Sequence, residues 1–360
     1  MAAGHAADVL LVSLGSTTGL RRADDELQDS LRRAGARVAV ARPFPPEPLP
    51  TMMLTDLVWA SAARRSAREI LAQQRDSPAH AVLYSTTTAA LLWKRPGAIR
   101  FDALAASNRR GRHGLWQRPL ERLRLRQAPL LLPWSEGALR EAPARYEAEH
   151  ERTLVLPVPV VASGPAAERR DIAAITYAAN PSKKGLARVL AAWRALRAAR
   201  ATQRVAPSGG ELAAGEHDDE LLIAGVSAER LYDARLLEPG EPGVRVVGSL
   251  AGDDFRALLR RARVFVCAPR REDYGIVQLE ALADGCQLVT TPAPGPYVAL
   301  PIARELDARL VDDDLARALH AALAQPLEDY AERARAALAP FTREAVDRLV
   351  AERLLPRLLA

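Results

Sequence analysis

Cysteine is nearly missing from this chain: Cys267 and Cys286 are the only two in 360 residues. So sparse a pair argues against a disulfide framework, and both are expected to be reduced and buried. Aromatic side chains make up 5%, too few for a base-stacking surface, so no nucleic-acid partner is expected. No apolar run approaches the roughly 20 residues of a membrane-spanning helix. The first apolar run, Val9–Leu14, follows Asp8 with no positive cluster before it, so it reads as a strand and not as a signal peptide; the cytoplasm is the expected compartment. No two of the 21 glycines are separated by a single residue. The G-x-G-x-x-G dinucleotide fingerprint is therefore missing, and so is the G-x-x-x-x-G-K-[ST] phosphate loop. A nicotinamide-dependent dehydrogenase and a phosphate-loop NTPase are both disfavoured.

A chain of this length usually splits into two cores. Strand-like and helix-like runs alternate from the start. Val9–Leu14 leads to a turn at Gly15–Gly19, a helix over Asp24–Ala34 and a strand at Ala36–Ala41. Ala81–Tyr84, Ile99–Phe101, Leu130–Leu132 and Thr153–Leu156 follow as further strands. Residues 157–170, rich in Pro and small side chains, read as a hinge. The alternation then restarts: strand Ile172–Tyr177, helix Lys183–Arg200, a surface loop over 207–219, strand Leu221–Ala224, strand Val244–Val247, helix Asp253–Ala262, strand Val264–Cys267, helix Gly275–Asp284 and strand Gln287–Thr290. The tail Arg343–Leu359 is helical. This order predicts two facing Rossmann-like α/β domains with a cleft between them. The expected division is 1–160, 161–340, and a terminal helix over 341–360 packing back toward the first domain.

The net charge of +6 is unevenly spread. The stretch 94–145 holds twelve basic and four acidic side chains. It would attract an anionic or lipid-linked acceptor, or hold the protein at an acidic membrane; the alternative is a solvated face in an Arg-rich protein. Lysine is the opposite case. Only Lys94, Lys183 and Lys184 occur, and two of the three sit together where a strand leads into a helix. There a compact ammonium can meet a phosphate.

The most informative segment is Val264–Pro292. A buried strand ends at Cys267-Ala268-Pro269, a charged turn carries Arg270-Arg271-Glu272-Asp273, and a helix opens near Gly275. Glu272 and Glu280 are eight positions apart. Crevices at strand C-termini are where open α/β sheets take ligands. A helix start there is a ready anion site, and a carboxylate can accept from a ribose diol or from sugar hydroxyls. Read alone, Glu272 could equally be an acid favoured near a helix start, and Glu280 a solvated side chain. Asp312-x-Asp314 has the form of a metal motif, but it opens an Ala-rich helix, where capping is the expected job.

The region Ile172–Ala324 resembles the C-terminal domain of the group 1 (family 4) retaining glycosyltransferases of the GT-B fold. The matching features are Lys184-Gly185 after the first strand, Leu221–Gly225, Val246-Val247-Gly248, and above all Glu272-Asp-Tyr-Gly-Ile-Val-Gln-Leu-Glu280-Ala-Leu-Ala-Asp-Gly285. The resemblance implies transfer of a sugar from a nucleotide-sugar donor with retention, with no metal or other cofactor required. It implies that Lys184 meets the donor diphosphate, with Lys183 beside it, that Glu280 holds the ribose, and that Glu272 holds the sugar beside its anomeric carbon. Asp273 and the amides of Tyr274, Gly275 and Ile276 would face sugar and phosphates. Two positions depart from the family pattern: Ala179 stands where an Arg is usual, and Asp273 where Gly is common. In the N-terminal half, Gly15 suits a backbone turn close to a substrate, and Asp102, after a short strand, could line the cleft. An inactive GT-B scaffold and a nucleotide-sugar epimerase are the competing readings.

Overall fold

A computed structural model describes residues 7–44, 49, 51–73, 79–109, 111–143, 146, 151–165, 167, 169–205 and 220–360. The loop expected over 207–219 lies outside them. The chain divides into two α/β units, Met1–Pro159 with Pro340–Ala360, and Val160–Ala339. Each is built on a five-stranded sheet in which every strand pairing is parallel.

The first unit runs β1 (Val9–Val12), α1 (Thr18–Arg33), β2 (Val38–Ala41), α2 (Met52–Gln73), β3 (Ala81–Tyr84), α3 (Thr87–Leu91), β4 (Ala98–Phe101), α4 (Ala105–Asn108), α5 (Gln117–Gln127), β5 (Leu131–Pro133) and α6 (Glu136–Arg140). Its strand order is β2-β1-β3-β4-β5. Successive strand residues point to opposite faces, and both faces are covered. Val9 and Leu11 pack with Leu27 and Leu31 of α1 and with Val346, Val350 and Leu354 near the C-terminus. Leu10 and Val12 pack with Trp59, Ala63 and Ala67 of α2 and with Ala89 of α3. The terminal helical segment is tied down further by Arg33, which donates to both carboxylate oxygens of Asp347 at 2.6 and 2.9 Å.

Three sequence expectations change here. The first helix starts at Thr18, six residues early, because the Thr17 hydroxyl accepts from the Leu20 amide and caps it. The 22-residue α2 has no counterpart in the sequence reading. Thr153–Leu156 follows β5 through ladder bonds, Leu154 N–H to the Leu131 carbonyl and Leu156 N–H to that of Pro133, without forming a full strand. Pro133 has no N–H to return a bond.

The second unit runs β6 (Ile172–Tyr177), α7 (Leu186–Val205), β7 (Leu221–Ala224), α8 (Ala228–Asp233), β8 (Val244–Gly248), α9 (Gly252–Arg261), β9 (Ala262–Cys267), α10 (Ile276–Ala283), β10 (Gln287–Thr290), α11 (Ala299–Leu306), α12 (Leu315–Ala324) and α13 (Tyr330–Ala337). Its order is β10-β9-β6-β7-β8. From β6 the chain moves outward through β7 and β8, then crosses back to place β9 on the other side of β6. The strand order therefore reverses between β6 and β9. In open parallel sheets, the C-terminal mouth of such a reversal is the ligand crevice.

Candidate active site

The loops leaving β6 and β9 flank that reversal. After β6, Asn180–Gly185 forms a turn in which the Asn180 carbonyl accepts from the Lys184 amide and the Pro181 carbonyl from the Leu186 amide. The helix expected from Lys183 therefore starts only at Leu186. Gly185 interrupts it, with φ +66°. A Cβ at that position would collide with the Ala268 carbonyl at the end of β9, so only glycine lets the two loops touch. This contact brings Lys184 over the second loop. On the far side Gly295, at φ +111°, also presses against the Glu272 backbone, where a Cβ would meet the Glu272 carbonyl.

Lys184 and Glu272 consequently meet: Lys184 Nζ lies 2.6 Å from Glu272 Oε2. The same oxygen accepts from Gln278 Nε2 at 2.9 Å. Behind the pair lies a buried polar group at the ends of β9 and β10. The Tyr297 hydroxyl is 2.9 Å from Thr290 Oγ1, and Cys267 Sγ is 3.4 Å from the same threonine. Burial pushes the Cys267 thiol upward, and raises the Tyr297 phenol well above its ordinary value, so both stay neutral. Gln278 went unremarked in the sequence. Its signal was a lone amide in the otherwise apolar run Ile276-Val277-Gln278-Leu279.

Glu280 lies two residues further along α10 and is 5% exposed, not solvated. Arg256 of α9 donates to Glu280 Oε1 at 3.3 Å and forks onto both oxygens of Asp284 at 2.5 and 2.9 Å. Arg256 is itself 3% exposed. Nothing in Gly252–Arg261, which reads as an amphipathic surface helix, marked it out. Asp273 pairs with Arg271 at 2.7 Å. Tyr274 and Gly275 are buried and Ile276 is half-buried at the helix start, where the first amides of α10 have no acceptor inside the helix. Lys183 is exposed; its carbonyl accepts from the Arg270 amide, and the contact with Glu272 is made by Lys184 alone of the two. The turn after β6, the turn after β9 and the start of α10 thus assemble one ammonium, one carboxylate and a helix N-terminus.

Gly15 and Asp102 belong to the first unit. Gly15 is buried at φ +57° just beyond β1. Asp102 Oδ1 accepts from the Ala103 amide at 2.9 Å and shapes the turn after β4. Much of the 94–145 basic stretch is occupied internally. Arg100 is 1% exposed and stacks 4.6 Å over Trp134. Arg109 pairs with Asp56 at 2.7 Å, and Arg124 stacks 4.9 Å over Trp93. Arg95 and Arg118 donate to backbone carbonyls. Lys94, Arg112, Arg122, Arg126 and Arg140 are exposed; Arg110 and Arg145 lie outside the described residues. Asp314 caps α12, accepting from the Arg317 amide at 3.1 Å, while Asp312 Oδ1 accepts from the Asp314 amide. Among the described residues, no helix is long and apolar enough to cross a membrane.

Residues 170–329 match the family described as glycosyl transferases group 1, which bears out the resemblance read from the Glu272–Gly285 motif. No curated protein matches the chain by sequence. Solved structures match across nearly its whole length. WaaG, a glycosyltransferase involved in lipopolysaccharide biosynthesis, superposes with a TM-score of 0.66 at 16% identity, covering 96% of this chain and 99% of its own. Sucrose-phosphate synthase from Thermosynechococcus elongatus gives 0.66 at 16%, covering 94% and 96%. The UDP-forming α,α-trehalose-phosphate synthase from Burkholderia xenovorans, solved with glucose-6-phosphate, gives 0.63 at 15%, covering 98% and 100%. The two parallel-sheet units have the GT-B fold of these glycosyltransferases.

Proposed function

We propose, starting from the match of residues 170–329 to group 1 glycosyltransferases, that this protein transfers a sugar from a nucleotide-sugar donor to an acceptor with retention of anomeric configuration. The observation that carries the reading is the 2.6 Å contact between Lys184 and Glu272 beside the start of α10. In the transfer, the bond between the anomeric carbon and the phosphate oxygen breaks, and its electron pair leaves with the nucleoside diphosphate. A new bond forms to the acceptor oxygen, whose proton passes to the departing phosphate. Negative charge grows on the diphosphate and positive charge on the sugar ring. Lys184 and the first amides of α10 stabilise the former as it develops. Glu272 sits beside the sugar and Glu280 accepts from the ribose diol. This scheme assigns no step to a metal.

The test is thermal stability with UDP, GDP, ADP, TDP and NAD. UDP is tried first because a UDP-forming synthase is among the similar structures. A ligand at about 100 times its dissociation constant adds about 2.7 kcal/mol to the folded state. A shift with one diphosphate that is lost in Glu280→Ala supports the donor site. A flat response to every nucleotide sinks it, and a shift with NAD alone overturns the family reading.

An anionic acceptor, lipid-linked or free, is the partner that the exposed cations Lys94, Arg112, Arg122, Arg126 and Arg140 favour. Arg112, Arg122 and Arg126 lie within three residues of the exposed Leu115 and Leu123 in sequence, which suits attachment to the inner face of an acidic membrane. Flotation with liposomes that ignores their anionic-lipid content would exclude that attachment.

A further inference from the structure

Glu280 and Asp284 are four positions apart, so they share one face of the α10 turn, and two like charges at that spacing repel. Both are buried, at 5% exposure each. One guanidinium reconciles them. Arg256 reaches Asp284 through Nε and Nη2 at 2.5 and 2.9 Å, Glu280 Oε1 through Nη1 at 3.3 Å, and the Val161 carbonyl through Nη2 at 2.7 Å. Asp284 Oδ1 also accepts from the Ser163 amide at 2.8 Å and its hydroxyl at 3.0 Å.

The two carboxylates therefore do different jobs. Asp284 takes the short, forked bonds and the 163 turn, and fixes where the guanidinium sits. From that guanidinium Glu280 takes a longer bond, 3.3 Å to Oε1, which helps set the direction of its carboxylate. A carboxylate offers about four acceptor sites, enough for the guanidinium on one side and a diol on the other. A buried charge held in this way keeps a single rotamer, and a fixed acceptor discriminates hydroxyl from hydrogen better than a mobile one.

We propose that Arg256 is the positioning residue that aims Glu280 at the ribose diol of the donor nucleotide, and so determines preference for ribonucleotides over deoxyribonucleotides. The proposal rests on the donor-site reading of Glu280 given above. Arg256 touches no substrate; it acts through Glu280, with Asp284 as its anchor.

The experiment is calorimetric titration of the full chain with the diphosphate selected by the nucleotide panel and with its 2′,3′-dideoxy counterpart. The wild-type chain should prefer the ribonucleotide by roughly tenfold or more, the worth of a hydrogen bond to a charged acceptor. Arg256→Lys keeps the charge near Asp284 but loses the fork. It should bind the dideoxynucleotide as the wild type does and the ribonucleotide no better. Asp284→Asn should lower the melting temperature yet keep the preference, because the amide oxygen of the new side chain still accepts from Arg256 and holds it against Glu280. Should Arg256→Lys fail to fold, the double variant Arg256→Met with Asp284→Asn removes the guanidinium together with the charge of its anchor and takes the same titration, with the same loss expected. A folded Arg256 variant that keeps the wild-type preference overturns the proposal while leaving the donor site standing. If Glu280→Ala keeps the preference, the ribose role of Glu280 fails, and the proposal with it. No binding of any nucleotide by the wild-type chain overturns both.

Discussion

Lys184 and Glu272, 88 positions apart in sequence, face each other at 2.6 Å across the mouth between β6 and β9. The contact is half-buried, with the lysine side chain 27% and the glutamate 11% exposed. An ammonium held by a carboxylate and close to a helix N-terminus has two possible partners, the carboxylate and an incoming phosphate. The proposed reaction uses the second as charge builds on the leaving group. Lys184→Ala is therefore expected to lower turnover by about 10²–10³, the usual loss on removing one charge-stabilising donor. Steady-state rates at saturating donor check this, and near-normal turnover would end the assignment.

Glu272 carries the complementary prediction. Its carboxylate is held from two sides, by Lys184 and by Gln278 Nε2 at 2.9 Å, so its position is set before any substrate arrives. Glu272→Ala should be severely impaired in transfer and still folded, because Glu272 lies in the loop after β9, outside the strands and helices of the second unit. Circular dichroism and rate are measured together. An unchanged rate with an unchanged spectrum refutes the role.

Most strands were legible in the sequence because they are short apolar runs bounded by turns; Gln287–Thr290 and Ile172–Tyr177 match residue for residue. Helix α2 was not, because its buried face is Asp56, Trp59, Ala60, Ala63 and Ala67, mostly small side chains that a search for large apolar residues passes over. At the site, the motif exposed Glu272, Glu280 and Lys184, since their spacing is local to one segment or to one strand end. Arg256 and Gln278 stayed hidden. What matters about each is which carboxylate it meets, and that follows from how α9 and α10 pack together. Composition also over-counts the exposed charge of the basic stretch: Arg100 and Arg109 are turned inward, to Trp134 and Asp56, while Lys94, Arg112, Arg122, Arg126 and Arg140 stay exposed.

Gly185 makes the loop contact on which the site depends. Alanine there must adopt φ near +66° and drive its Cβ into the Ala268 carbonyl. Left-handed backbone for a residue with a Cβ costs about 1–3 kcal/mol, and the collision with a backbone atom adds to it. Gly185→Ala should lower the melting temperature by several degrees, at roughly 2–4 °C per kcal/mol. Because the turn carries Lys184, transfer should fall further than the loss of folded protein explains. An alanine variant as stable and as active as the wild type would show that the two loops need not touch.

Glu121 in the first unit predicts a pH dependence of stability. It lies on α5 at 3% exposure, and its carboxylate oxygens accept the Ala105 amide at 2.9 and 3.0 Å. Burial is the largest influence on it, opposed by that amide, by Thr87 and by Arg109, and its pKa is pushed up to about 7 from 4.5. Between those two values the folded chain holds a proton that the unfolded chain has released. The stabilising contribution is therefore complete below about pH 4.5 and is lost as pH rises through about 7, with an amplitude of about 3 kcal/mol. Glu121→Gln resembles the protonated form at every pH. Melting temperatures of both proteins are compared between about pH 5 and pH 8. The wild type should lose stability across that range more steeply than the variant, and the variant should gain on it most at the alkaline end. Parallel profiles would mean that Glu121 is already ionised in the folded protein, with Arg109 and the Ala105 amide outweighing its burial.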